Sequence, residues 1–167
     1  MTLVVADTTP LRYLVETGYE FLLPQLFSSV VIPGAVADEL RQTKTPLIVR
    51  QWAEGLPSWV EVQRIERPDL AHEAEGLDRG EWEAIELAKQ LDAGLLLMDE
   101  RTGTRFARAL GLIVTGTLGV FVEAARADLI SIDAALDQLG KTNFRHSPDL
   151  FRQTRELARN LRSSGKP

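Results

Sequence analysis

The chain has 167 residues, 44% of them apolar and 26% charged, with a formal net charge of −5; that balance fits one globular domain with a sizeable core. The acidic excess argues against sequence-blind adhesion to nucleic acid or acidic membrane, but leaves room for a local basic patch or a metal that inverts the sign at one site. With no Cys, and with His72 and His146 as its two histidines, the chain excludes disulfides, thiolate nucleophiles and Cys- or His-rich zinc sites.

No basic segment followed by a short apolar one opens the chain, and no apolar run is long enough to span a bilayer, so a cytoplasmic protein without a membrane partner is expected. The first stretch, Leu3 to Ala6, reads as a buried strand ended by Asp7. Thr9-Pro10 resembles an N-cap and first helical position, with a helix from Pro10 to Thr17 closed at Gly18. A short helix over Tyr19 to Leu26 and a strand over Ser29 to Ile32 follow. Pro33 starts a further helix carrying Ala35, Val36, Glu39 and Leu40, and after Thr45-Pro46 another runs to Ala53. Ser58 to Val62 is a short extra strand, and the polar stretch Arg64 to Leu77 is the candidate mobile segment. An amphipathic helix from Leu77 to Leu91 precedes the apolar strand Gly94 to Met98, which ends at Asp99-Glu100. A helix from Arg101 to Leu110 and a last core strand, Leu112 to Val114, lead into three helices: Leu118 to Ala127, Ile132 to Leu139 and Pro148 to Leu161. Strands alternating with helices predict a parallel α/β sheet in one domain over residues 1–162, with a frayed tail at 163–167.

Four carboxylates stand out. Asp7 and Asp99 end apolar strands, where ligands collect in open parallel sheets; the bland alternative for each is a helix cap. At about 100° per residue, with Ala35 at zero, Glu39 falls near 40°, between Ala35 and Val36 on the apolar arc. Glu81 falls within the arc of Ala84, Ile85, Ala88 and Leu91, whereas Glu83 and Glu86 fall on the polar side. Asp78 with Glu81 also imitates a capping box, in which the Glu reaches back to the backbone. If the four converge, like charges ~4 Å apart repel by ~4 kcal/mol at an effective dielectric near 20. Such a cluster requires protonation or a bound cation, and ligands restricted to oxygen point to Mg²⁺ or Mn²⁺.

The segments Val4 to Leu11, Val31 to Leu40, Asp78 to Ala88, Leu95 to Leu112, Thr115 to Ala124 and Phe144 to Phe151 resemble the PIN-domain ribonuclease family, in its branch called domain of unknown function 3368, which is often paired with antitoxins. The resemblance implies a three-layer α/β/α PIN-like fold around a central parallel sheet and Mg²⁺- or Mn²⁺-dependent hydrolysis of RNA, leaving a 5′-phosphate and a 3′-hydroxyl. By position it implies that Asp7, Glu39, Glu81 and Asp99 are the metal-binding catalytic acids. PIN domains more often carry Asp in the third slot, where Glu81 stands here. Thr8 matches a small hydroxyl residue beside the metal and the scissile phosphate. On the helix from Arg101, the residues Arg101, Arg105 and Arg108 lie at roughly 0°, 40° and 340°, a basic stripe fit to track phosphates, with Arg101 and Arg105 as substrate-binding residues. The later arginines Arg152, Arg155, Arg159 and Arg162 read as a solvated face or partner surface, and Trp52, Trp59 and Trp82 as packing. The resemblance further implies a toxin role with a small antitoxin protein over the acidic cleft, and homodimers are common among relatives. The rival reading is a PIN-like module that binds RNA or protein without cutting.

Overall fold

The opening apolar run forms β1 (Leu3–Ala6), with Val4, Val5 and Ala6 fully buried. In the computed structural model, which describes residues 2–65 and 76–165, the chain continues through α1 (Thr8–Thr17), α2 (Leu22–Leu26), β2 (Ser29–Pro33), α3 (Gly34–Leu40), α4 (Leu47–Glu54) and β3 (Val60–Gln63). Beyond the polar stretch Arg64 to Leu77 lie α5 (Arg79–Gln90), β4 (Leu95–Leu97), α6 (Arg101–Ala109), β5 (Val114–Thr115), α7 (Thr117–Arg126), α8 (Ile132–Gly140) and α9 (Pro148–Ser164). The strands form one parallel sheet in the order β3-β2-β1-β4-β5.

Strand residues alternate between two cores, as the pleat requires. Val4, Ala6, Val30, Ile32 and Leu97 pack with the side of the molecule carrying α1, α4, α7 and α8, while Val5, Val31, Leu96, Met98 and Val114 pack against α5 and α6. The fold is therefore three layers, α/β/α. Burial on both faces explains why β1, β2 and β4 are near-continuous apolar runs rather than alternating ones.

The sheet order positions the site. From β1 the chain adds β2 on one side and, later, β4 on the other; α1, leaving β1, and α6, leaving β4, cover opposite faces. A crevice opens where the connections diverge, beyond the carboxyl ends of β1 and β4. Asp7 and Asp99 emerge beside it.

Several boundaries differ from the expectation. Helix α1 begins at Thr8 with Asp7 as its N-cap, so Thr9 is inside the helix and not its cap. Its far end closes as expected: Gly18 adopts φ +76°, and Tyr19 N donates to Leu14 O at 2.8 Å. Pro33 ends β2 and caps α3 instead of starting it. The last strand is shorter and later than Leu112 to Val114, because pairing with β4 begins at Leu96↔Val114, and Ile113 is left exposed. Most of the expected mobile stretch, including His72, lies outside the described residues. Arg155 and Arg159 donate to Asp133 at 2.9 and 3.4 Å and Arg162 to Asp128, so this arginine face clips α9 to α8 and the turn before it. Trp52 packs near Trp59, and Trp82 is buried against the α5 side of the sheet. No helix among the described residues is long and apolar enough to cross a membrane.

Candidate active site

Asp7 is held at the mouth of the crevice by its own backbone, whose N–H donates to Leu97 O at 2.9 Å. Although it occupies the N-cap of α1, its side chain makes no capping hydrogen bond, which leaves the carboxylate for other work. Burial raises its pKa well above the ordinary carboxylate range. The Thr8 backbone N–H opposes that shift, and the charges of Asp78, Glu81 and Glu39 add to it.

Glu39 reaches the same place from the last turn of α3. Its Oε2 accepts a hydrogen bond from Thr8 Oγ1 at 2.8 Å, tying the first helix after β1 to the acid of α3. Glu81 arrives from the first turn of α5, where the capping box is complete: Glu81 N donates to Asp78 Oδ1 at 2.8 Å, and Asp78 N donates to Glu81 Oε2 at 3.0 Å. One oxygen of Glu81 thus serves the cap. Burial, partly offset by the Asp78 N–H and reinforced by the charges of Asp78, Glu100 and Glu39, pushes the Glu81 carboxyl up to about 7.

Gly80 explains how these side chains share space. A Cβ built there would lie 3.1 Å from Glu39 Oε2, 3.5 Å from Asp78 Oδ1 and 3.6 Å from Asp7 Oδ1. Three carboxylate oxygens therefore surround one patch of bare backbone. Asp78, read from the sequence as a cap alone, belongs to the cluster; its spacing from Glu81 was the available signal.

Asp99 is arranged differently. Its Oδ1 accepts from Thr117 N at 2.8 Å and its Oδ2 from Thr117 Oγ1 at 2.6 Å, so both oxygens bind the first residue of α7. Burial raises its pKa, while the two Thr117 bonds lower it. It caps α7 and not the Arg101 helix, whose cap is Glu100, accepting from Gly103 N at 2.8 Å. A Cβ at Gly116 would collide with Asp99 Oδ1, so glycine keeps this approach open. The structure gathers Asp7, Glu39 and Glu81 with Asp78 beside them, and turns Asp99 toward α7.

Helical periodicity puts Glu83 on the polar side of its helix, yet it is 1% exposed. Its Oε2 accepts from Ala35 N at the start of α3 and its Oε1 from Arg79 Nε, both at 2.9 Å. Packing of α3 against α5 covers that side, a tertiary event that helical periodicity does not report. Glu83 thereby fixes the helix carrying Glu39 to the helix carrying Glu81. Replacing Glu83 with Ala should cost roughly 2–3 kcal/mol in urea unfolding, since a buried charged hydrogen bond is lost and Ala35 N–H is stranded. Glu86→Ala, at a partly exposed site, should stay within about 0.5 kcal/mol.

An oxygen-only donor set suits a hard divalent cation. Among the described residues, no three acidic or histidine side chains stand close enough to hold an ion as they are. Mg²⁺ does not need such a cage, because it keeps several waters and binds through one or two carboxylates. The crowding of Asp7, Glu39 and Asp78 around Gly80 fits that kind of site. Arg101 and Arg105 project from α6, both exposed, and flank a surface groove together with Asp99.

The model of a PIN-domain family, domain of unknown function 3368, matches residues 3–160. None of the curated proteins matches the chain. Among solved structures, the chain is similar to a PilT N-terminus domain protein from the hyperthermophilic archaeon Sulfolobus solfataricus P2, at 15% identity over 87% of this chain and 99% of that chain, with a TM-score of 0.47. PIN domains are typically nucleases and generally use divalent metals. Since the family match runs from β1 well into α9, this chain belongs to the PIN-domain family.

Proposed function

We propose that the protein is a divalent-metal-dependent endoribonuclease hydrolysing RNA phosphodiester bonds, with Mg²⁺ or Mn²⁺ as the cofactor. One observation carries the reading: Asp7, Glu39 and Asp78 present carboxylate oxygens to a single glycine at the sheet's switch point. Acids crowded in this way repel one another unless some are protonated or a cation accompanies them, and a cation is the relief that leaves them ionised. Asp7 and Glu39 would hold the ion, with Asp78 or Glu81 completing its surroundings. When bound, such an ion supplies an acidified water and polarises the phosphodiester and its leaving oxygen. Thr8 Oγ1 keeps Glu39 Oε2 oriented toward the crevice. Glu81, with one oxygen fixed by the cap and a carboxyl pKa near 7 in the metal-free chain, is suited to orient a water or exchange its proton near neutrality.

The biological role we propose is that of toxin in a type II toxin–antitoxin pair. Support for it is the likeness to a branch often paired with antitoxins, whose small partner would cover the acidic cleft. A module that binds RNA or protein without cutting is the second reading, favoured by the engagement of both Asp99 oxygens with Thr117. The two separate in one assay, in which end-labelled single-stranded RNA is incubated with the protein and Mn²⁺ or Mg²⁺. The expected result is fragments with 5′-phosphate ends that disappear with EDTA. Intact RNA in every metal would leave the binding module.

A further inference from the structure

A pocket of about 310 Å³ opens over the acid cluster, between α3 and the start of α5. Glu39, Asp78 and Gly80 line it, and so does Lys44, an exposed residue of the turn joining α3 to α4. That turn is built on Glu39 itself. Gln42 N and Thr45 Oγ1 both donate to Glu39 O, at 3.1 and 2.9 Å, and Thr45 N donates to Gln42 O at 3.0 Å. The backbone carrying Lys44 is therefore fixed relative to the acid of α3. The other basic residues around it are each engaged. Arg41 donates through Nε to Ala53 O at 3.0 Å, and Arg50 to Thr45 O at 3.2 Å. Arg64 makes two bonds to Asp38, at 3.1 and 3.2 Å, and Arg79 is held by Glu83. Lys44 is left with no hydrogen-bond or ion-pair partner among the described residues, although it shares its pocket with carboxylates. Those acids are engaged elsewhere: Glu39 Oε2 accepts from Thr8, and Asp78 Oδ1 from Glu81 N.

We propose that Lys44 is a substrate-binding residue of this site, its ammonium holding an RNA phosphate beside the ion carried by Asp7 and Glu39. The inference rests on the ribonuclease reading and adds a residue that acts oppositely on metal and substrate. An ammonium paired with the acids would compete with the ion for them. One held beside them repels the ion weakly and attracts the phosphate. The path of the strand follows. β2, which leads into α3, lies on one side of β1, and β4, which leads into α6, lies on the other. Lys44 therefore extends the contact surface past Asp7 to the side away from α6. A strand held there has its scissile bond in its interior and not at its end.

The test reads metal and RNA separately in the wild type, Lys44→Gln, Lys44→Arg and Lys89→Gln, the last a control at a cation of α5 paired with Glu86. Free Mn²⁺ is followed by electron paramagnetic resonance as protein is added. Lys44→Gln should bind Mn²⁺ about 2- to 4-fold tighter, the scale for removing one unit charge ~10 Å from a divalent ion in water at moderate salt. With Mn²⁺ saturating, kcat/KM for a fluorescent single-stranded RNA should fall about 10-fold, the scale of one charged hydrogen bond. The plot of its logarithm against log salt should flatten by about 0.7, the loss of one single-strand phosphate contact. Lys44→Arg, which keeps the charge, should stay within about 3-fold of wild type in both measurements, and Lys89→Gln should change neither. A loosened fold would weaken metal and RNA together, so opposite signs from one substitution mark a direct contact. The proposal is overturned if Lys44→Gln weakens Mn²⁺ binding, leaves the salt slope unchanged, or is matched by Lys89→Gln. If the wild type leaves RNA intact, its affinity in Mn²⁺ replaces kcat/KM over the same salt series. Intact RNA with a flattened slope removes the ribonuclease reading and keeps the Lys44 contact; cleavage with an unchanged slope removes Lys44 alone.

Discussion

Asp7→Asn should reduce metal-dependent RNA cleavage by on the order of 10³-fold, the scale on which removal of one group acting on the transition state registers, while leaving the metal-free protein at least as stable as wild type. The second half of that result is the informative one. A buried residue at the start of a helix normally cannot be changed without loss, yet Asp7 contributes no capping hydrogen bond and its charge is opposed by burial and by three neighbouring acids. A neutral amide of the same shape removes both penalties. The measurement is thermal unfolding with EDTA and with increasing Mn²⁺. At a hundred times its dissociation constant, a ligand of the native state adds about 2.7 kcal/mol. For a domain of this size that raises the wild-type midpoint by about 5–10 °C, and Asp7→Asn should show little of the rise. Strong destabilisation of the metal-free variant would mean that Asp7 is a structural residue and that the site has been misassigned.

The parts of this site legible in the sequence are those that local chemistry determines. An apolar β-branched run stopping at Asp7 marks a buried strand and its exit, and helical spacing puts Glu39 and Glu81 on packed faces. The capping box is equally local, since Asp78 and Glu81 are three residues apart. What stayed hidden depends on partners distant in sequence. Glu83 is buried because the N-terminus of α3 docks on it, and its acceptor role is satisfied by Ala35, 48 positions away. The position of Asp99 at a strand end was readable, but its direction follows from the turn at Gly116, which brings Thr117 within reach.

Without metal, the protein should lose stability as pH rises from about 4.5 to 7.5, opposite to the acid denaturation usual for proteins whose carboxylates are paired. In the unfolded chain a Glu releases its proton near 4.5, whereas Glu81 in the folded chain retains it to about 7. Between those values the native state binds the extra proton. Its advantage is complete below the unfolded pKa and is lost as pH climbs through the folded one. At 1.36 kcal/mol per pKa unit, the shift from 4.5 to about 7 corresponds to on the order of 3 kcal/mol. That is a fall in midpoint of roughly 6–12 °C for a domain of this size. Asp7 and Asp99, also raised by burial, act in the same direction. Glu81→Gln is the discriminating variant, because Gln can still reach back to the Asp78 N–H and preserve the capping box. It should raise metal-free stability at pH 7.5, change little at pH 4.5 and remove much of the slope. Mn²⁺ should flatten the wild-type slope by stabilising the ionised cluster that high pH otherwise penalises. If the metal-free midpoint instead climbs steadily to pH 7.5, these carboxylates are individually compensated, and crowding around Gly80 supplies no drive to bind a cation.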